Sequence, residues 1–313
     1  MNGNLELHLC PICSCDESVP WLEAPDRFHL RNTIYRLVRC PSCSLVWLQD
    51  PPAPKEMPYH YGADYHRCIT TSGEADLVRR WRAPRDRVLS MIKGGALLDI
   101  GCSSGAFLQT LKGEAWELYG IEISPDEARE AEAKTGARVF VGDILDARFS
   151  PGSFDLITCF HVLEHVHRVK EVVDRVWEWL KPGGILYVLV PNIEALEAHI
   201  FRSYWYGLEL PRHLYHFCPS SLERLLASFG FDEILLRTSA DCYVEKSIRY
   251  VLDDVAAKLG ALRTPLATSD GTAGVPWRVI RKAIRLGFLW PFRQLAAVAG
   301  RGSAIEAAFR KSA

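Results

Sequence analysis

Net charge is almost absent from this chain of 313 residues: Lys and Arg total 37 against 38 for Asp and Glu, so it lacks the positive field of a general nucleic-acid binder. No stretch approaches the roughly 20 apolar residues that a membrane span requires. The opening residues, MNGNLELHLC, have neither the basic nor the apolar block of a secretory signal, and a cytoplasmic location is the expectation. Internal repeats and low-complexity tracts are missing too. With 48% apolar and 24% charged residues, the disordered, collagen-like and disulfide-scaffold classes are excluded, and one large core with a smaller appendage is expected. What charge there is lies unevenly. From Glu245 onward there are 12 basic and 5 acidic residues, a net +7, which leaves −8 on residues 1–244.

Four of the ten cysteines form two Cys-Pro-x-Cys pairs, Cys10 with Cys13 and Cys40 with Cys43, separated by 26 residues; the other six are scattered. A Cys-x-x-Cys turn points two thiolates at one ion, and two such turns complete the tetrahedral sulfur cage that Zn²⁺ prefers. Cys15 is a nearby spare. Four sulfurs leave no open coordination position, so the ion is read as structural, folding a segment too short to build its own core. Residues 1–66 are therefore expected to form a zinc-ribbon-like module, with an extended run at Tyr35–Arg39 and the proline-rich linker Asp50-Pro-Pro-Ala-Pro54.

A charged helix is predicted from about Glu74 to Ile92. From Ala96 onward strand, turn and helix alternate, the pattern of a parallel sheet covered on both faces. The predicted strands are Ala96–Ile100, Leu118–Glu122, Arg138–Val141, Phe154–Cys159 and Ile185–Val190. Helices open at Ala106 and after Ser124-Pro-Asp-Glu127, a good capping sequence. Ligands of such sheets bind at the carboxyl ends of the strands, where Asp99, Gly101, Glu122, Asp143 and Phe160 all fall.

The turn Asp99-x-Gly101-x-Ser103-x-Gly105 differs from the dinucleotide pattern in spacing and in its leading acid, which would repel a pyrophosphate and suits a cationic ligand. At this point the chain resembles the class I S-adenosylmethionine-dependent methyltransferases, over about Ala96–Ala240. The motifs are LLDIGCSSGAFL, YGIEIS, GDILD, FDLITCFHVLEHV and LKPGGILYVLVPN. The resemblance implies a doubly wound, Rossmann-like α/β fold of seven strands, the last antiparallel. It implies S-adenosylmethionine held by Asp99, Gly101, Cys102, Ser103 and Gly105 in the first turn. Glu122 would accept the ribose hydroxyls, with Ile123 beside it; Asp143 would take the adenine amino group, with Ile144 against the ring and Phe160 at the end of the fourth strand. Ser103 stands where the family has its middle glycine.

A sulfonium methyl is already electrophilic, so such a protein chiefly aligns the acceptor and excludes water, and needs a base only when the acceptor must lose a proton. For a hydroxyl acceptor histidine suits, because its pKa lies near working pH. The candidates are His161, in His161-Val-Leu-Glu164-His165, and His213 and His216, in Pro211-Arg-His213-Leu-Tyr-His216-Phe217. The first string also fits an inverted zinc-protease signature, which is rejected because it follows a strand of this sheet and lacks the helical context. A closer likeness is to the ubiquinone-biosynthesis O-methyltransferases, where Glu-x-x-Glu-His supports a divalent ion near the acceptor. Here His161 replaces the first Glu, which weighs against a hard cation at Glu164 and His165. Arg212 is a candidate for an anionic substrate group, and Tyr204-Trp205-Tyr206 for an apolar or sugar-ring wall.

Phe231–Thr238 is the predicted sixth strand and Ser303–Arg310 the seventh. The core is thus expected at 67–243, a helical insertion at 244–300 and the last strand within 301–313. Val244, Ile248, Leu252, Val255 and Leu259 share one helical face. Residues 277–293 carry five basic side chains, no acid and several large apolar ones, the composition of a membrane-surface helix; a pocket lid or homodimer face is the alternative. The expected function is methyl transfer to a hydroxyl of a small-molecule, glycan or lipid-linked acceptor, without a nucleic-acid partner, in the cytoplasm or peripherally at the inner face of the membrane. The rival readings are a sugar C-methyltransferase, a zinc-ribbon RNA methyltransferase and a non-catalytic S-adenosylmethionine-binding module. Against RNA, residues 1–68 hold only 6 basic and 8 acidic side chains.

Overall fold

The computed structural model describes residues 9–61, 79–240, 243–258 and 290–312. Along the chain run β1 (Val19–Asp26), β2 (Arg31–Arg39), β3 (Val46–Leu48), α1 (Met57–Tyr61), α2 (Arg82–Met91), β4 (Gly95–Ile100) and α3 (Ala106–Gln109). There follow β5 (Trp116–Glu122), α4 (Pro125–Thr135), β6 (Arg138–Val141), β7 (Phe154–Phe160), α5 (Val169–Trp179), β8 (Leu180–Pro191) and α6 (Leu196–Phe201). The chain ends with β9 (Tyr215–His216), α7 (Pro219–Ala227), β10 (Phe231–Ser239), α8 (Tyr243–Lys258), α9 (Trp290–Val298) and β11 (Ala304–Lys311). It divides into two compact units, one of Met1–Ile69, Val190–Leu222 and Arg237–Glu306, the other of Thr70–Leu189, Glu223–Leu236 and Ala307–Ala313.

The second unit is built on a seven-stranded sheet in the order β10-β11-β8-β7-β4-β5-β6, with β4 parallel to β5 and β7, β5 to β6, and β7 to β8. The chain steps outward from β4 through β5 to β6, then returns to the other side of β4 to lay down β7 and β8. The order therefore reverses between β4 and β7, the place where sheets of this kind leave a crevice for ligand. Leu97, Leu98, Leu156 and Ile157 are fully buried, as strands covered on both faces require. Val169, Val172, Val173, Val176 and Trp179 form the buried stripe of α5 at helical spacing, each contributing about 1.5–3 kcal/mol of burial. Helix α4 begins as its sequence dictates: the Ser124 hydroxyl accepts from the Glu127 amide, Pro125 occupies the first turn, and Gly136 ends it in the left-handed conformation.

Strand β8 begins earlier than the sequence indicates. Phe154 pairs with Leu180 and Leu156 with Ile185, so the Lys181-Pro-Gly-Gly184 turn is a bulge within the strand, with Gly183 at φ +75°. The last strand, β11, lies between β10 and β8 in a mixed sheet.

In the first unit a four-stranded antiparallel sheet runs β1-β2-β3-β9. Two Cys-Pro-x-Cys-Ser turns flank its first hairpin with one hydrogen-bond pattern. Ser14 N donates to Cys10 O and Cys10 N to Cys15 O, just as Ser44 N donates to Cys40 O and Cys40 N to Leu45 O. Both serines are left-handed, at φ 58° and 64°. Helix α8 is present, but its buried stripe is Tyr243, Val244, Ser247 and Tyr250, whereas Ile248, Leu252 and Val255 are exposed. The predicted face is thus rotated; its last member, Leu259, lies outside the described residues, as do the start of the predicted 74–92 helix and most of 277–293. Among the described residues no helix is long and apolar enough to cross a membrane.

Candidate active site

The turn after β4 is shaped by its glycines. Gly101 has φ +71°, and a Cβ there would come within 2.6 Å of Val162 Cγ2; Gly105 has φ +79°, and its Cβ would meet Ala131 at 3.0 Å. Only a residue without a side chain lets this backbone fold so closely between its neighbours. Ser103, at φ 46°, takes the left-handed turn that glycine usually fills and donates its hydroxyl to Glu127 at 2.9 Å. Cys102 is buried, and a Cβ at Gly120 would lie 2.7 Å from its sulfur, so it offers the turn its backbone.

Glu122 closes β5 and is 5% exposed. One carboxylate oxygen accepts from Ser103 N and the other from Ser124 N, each at 2.9 Å. Each oxygen has a second lone pair, so the group retains acceptor capacity for two hydroxyls. Beside it Ile123 is 70% exposed, an unusual position for an isoleucine in a packed sheet protein. Asp143 is exposed and accepts from Leu145 N at 2.8 Å, with Ile144 buried behind it. Phe160 packs among Trp81, Phe107 and Tyr187, its ring stacked on Trp81 at 5.0 Å.

Asp99 is buried, and burial pushes its carboxyl up to about 7, against a hydrogen bond donated by the Thr158 hydroxyl at 2.6 Å. Its folded-state value lies above that of the unfolded chain, so the folded chain holds the proton more tightly. The stabilisation is therefore complete below about pH 4 and lost as pH rises through 7. Urea unfolding of the unliganded protein is expected to show this decline between pH 4 and 7 in the parent and to show less of it in Asp99→Asn. Equal pH slopes in the two proteins would contradict the assignment. A cationic group nearby favours the ionised carboxylate, which suits a zwitterionic ligand.

The residue after Phe160 is His161, held at φ 56° with its amide donating to Leu189 O at 2.7 Å. Its Nδ1 lies 3.3 Å from Oε1 of the fully buried Glu164, and its Nε2 is buried with no hydrogen-bond partner among the described residues. With Glu164 ionised, Nδ1 carries the proton and Nε2 is the basic nitrogen.

This sheet order and this set of strand-end residues agree with a family match: residues 74–236, more than half of the chain, match the family described as "Methyltransferase domain". The chain belongs to the class I S-adenosylmethionine-dependent methyltransferases. Among curated proteins this methyltransferase is similar to the ubiquinone biosynthesis O-methyltransferase of Methylococcus capsulatus, 27% identical over 191 residues, covering 55% of this chain and 79% of that one. It is also similar to the protein of that name from Cupriavidus pinatubonensis, 26% identical over 159 residues. That match covers 47% of this chain and 64% of the relative, less than two thirds of its length. A solved S-adenosylmethionine-dependent methyltransferase from Archaeoglobus fulgidus has the same fold, with a TM-score of 0.51 at 20% identity over 77% of this chain and 96% of that one.

The remaining histidine candidates of the methyltransferase lie in its first unit. His213 Nδ1 is 2.9 Å from Gly207 O, which only accepts, so Nδ1 carries a proton; Nε2 faces Glu209 Oε2 at 3.7 Å. His216 is 1% exposed, sits in β9 opposite Val46, and donates Nε2–H to Leu208 O at 3.0 Å, so its ring braces the loop. Arg212 does not await an anionic substrate group: it is wholly buried among protein partners. Trp205 and Tyr206 are likewise buried, packed on Tyr243 and Tyr250 of α8, while the Tyr204 hydroxyl donates to Asp254 at 2.8 Å.

The four paired cysteines converge. Cys10 and Cys43 sulfurs lie 3.4 Å apart, Cys13 and Cys40 sulfurs 3.5 Å, and all four fall within 4.8 Å of one another. A tetrahedral ion with bonds of about 2.3 Å needs sulfur edges of about 3.8 Å, so the cage fits. The hydrogen bond from Cys43 holds the Cys10 thiol down to about 5, and the same bond raises Cys43. Burial pushes Cys40 up to about 11. One thiolate is thus favoured even before a cation is counted. Thr158, Val162, Trp81 and Glu209 escaped the sequence reading, since each acts through a contact with no local signature.

Proposed function

We propose that this methyltransferase methylates a hydroxyl of a small-molecule, glycan or lipid-linked acceptor by direct in-line transfer, with His161 as the base. The observation that carries the reading is His161 itself: Glu164 orients the ring, leaving a buried, unpartnered Nε2 in the same unit as the glycine turn, Glu122 and Asp99. Bound S-adenosylmethionine supplies the electrophilic methyl. Gly101, Ser103 and Gly105 would hold its amino-acid part, Glu122 its ribose, and Asp143, Ile123 and Ile144 its adenine. The likeness to proteins named ubiquinone biosynthesis O-methyltransferase supports oxygen as the acceptor atom. Zn²⁺ in the four-cysteine cage would be structural, and residues 277–293 would give a peripheral membrane contact.

His213 is the second reading, favoured by the ring orientation that its Nδ1–H to Gly207 O sets and by the Glu209 carboxylate beside it. Incubating the protein and methyl-labelled cofactor with source-cell extract identifies the labelled product and ranks the two histidines. His161→Ala is expected to lower labelling about 100–10,000-fold, the worth of a general base, with His213→Ala losing less. Full labelling by a folded His161→Ala protein would remove His161 from the mechanism.

A further inference from the structure

Ser103 has a backbone that glycine adopts freely and serine does not, with φ 46° in the middle of the turn after β4. A side chain held left-handed is strained, so the turn keeps this shape only where a neighbour holds it. The neighbour is Glu127, in the first turn of α4. Its Oε2 accepts the Ser103 hydroxyl at 2.9 Å, a charge-assisted bond between two half-buried side chains.

That bond closes a ring. Ser103 N donates to one oxygen of Glu122 and Ser124 N to the other, each at 2.9 Å, and Glu127 N donates to Ser124 Oγ at 3.4 Å. The contacts thus run from Glu122 to Ser103, on to Glu127, through Ser124 and back to Glu122. Three of the four use a backbone N–H as donor, which almost any residue would supply. The fourth joins two side chains, and of the four it alone ties the glycine turn directly to α4. Cutting it opens the ring while Glu122 keeps both of its amides.

We propose that Ser103 and Glu127 are a positioning pair: their hydroxyl–carboxylate bond offsets the left-handed strain at Ser103 and keeps the glycine turn in the shape that receives S-adenosylmethionine. This rests on the reading of the turn and Glu122 as the cofactor site. Glu127 acts through Ser103 and not by contact with the cofactor. A turn that spends only a fraction of its time in the receptive shape binds with an affinity lowered by that fraction. Loss of the bond therefore weakens the cofactor's hold without removing a group that touches it.

Calorimetric titration of the full chain with S-adenosylhomocysteine tests the pair without an acceptor, with circular dichroism to show that each variant is folded. Ser103→Ala keeps the strain and loses the bond, and Glu127→Ala does the same from the other side, so each is expected to weaken binding about tenfold. The double variant should be no weaker than either single one, because one bond is lost only once. Ser103→Gly loses the bond but enters the turn without strain, and Glu127→Gln keeps an acceptor oxygen; both are expected to stay within about threefold of the parent. A serine hydroxyl that instead bonded the cofactor would make Ser103→Gly as weak as Ser103→Ala and leave Glu127→Ala at the parent affinity. Either of those results, or losses that add in the double variant, would overturn the proposal. Glu122→Ala separates the two readings. If it binds like the parent, the cofactor lies elsewhere and the pair falls with the site; if it binds weakly while Glu127→Ala binds like the parent, the site stands and the pair alone falls.

Discussion

Alanine at position 122 is expected to weaken S-adenosylhomocysteine binding about 100-fold, roughly 2.7 kcal/mol, if the ribose lies where we propose. The Glu122 carboxylate already accepts two backbone N–H groups, from Ser103 and Ser124, and these hold the glycine turn and the turn before α4 in place. Its removal therefore acts twice. The ribose hydroxyls lose a charged acceptor, and the two amides lose the group that sets the spacing between the glycine turn and the start of α4. Charged acceptors contribute about 1.5–3 kcal/mol per hydrogen bond, so the ribose term alone reaches the stated loss. Circular dichroism of the unliganded variant separates a local defect from unfolding, and calorimetric titration gives the affinity. A folded Glu122→Ala protein that binds as tightly as the parent would move the ribose elsewhere.

The sheet was legible because its strands are buried on both faces. Runs such as Ala96-Leu-Leu-Asp-Ile100 have no alternative reading once a glycine turn and a helix follow them. The start of helix α4 was legible through its cap, since Ser124 and Pro125 each do the chemical job their position demands. Helix α8 was located but turned, and the reason is chemical. The aliphatic stripe of Ile248, Leu252 and Val255 looked like the core face, whereas the buried contacts come from Tyr243 and Tyr250 and from Ser247, whose hydroxyl accepts from Tyr206 N and donates to Tyr243 O. Tyrosine and serine read as surface residues until the partner that satisfies their hydroxyls is known. Strand β9 has two residues and no periodicity, so nothing local could announce it.

The site divides in the same way. Residues set by backbone geometry, such as Gly101 and Gly105, or by position at a strand end, such as Asp99 and Glu122, were read from the motif. Residues set by long-range pairing were not. Thr158 reaches Asp99 only because β4 and β7 are neighbours in register, and Asp26 faces Arg212 across 186 positions of sequence. A buried arginine and its distant carboxylate leave no mark on the local pattern, which is why Arg212 was read as a substrate ligand.

The cysteine cage carries the second large effect. Freshly purified protein is expected to contain one zinc per chain, and Cys40→Ser to lose it and to lose amide-exchange protection through β1, β2 and β3. The magnitude follows from size. Structural zinc contributes about 10–16 kcal/mol of apparent binding energy in small modules, far more than a three-stranded meander of this length gains from its own apolar side chains. Two equivalent knuckles would hold the ion, so removing one sulfur would leave a three-sulfur site open to water and also break the Cys43 N–H contact to Cys40 Sγ at 3.5 Å. The effect should pass along the pairing of β3 with β9 to residues 214–216, while the seven-stranded sheet keeps its protection and its cofactor. Protein that is free of zinc before any chelator is added, yet fully protected over residues 10–48, would show that the four cysteines are packing residues.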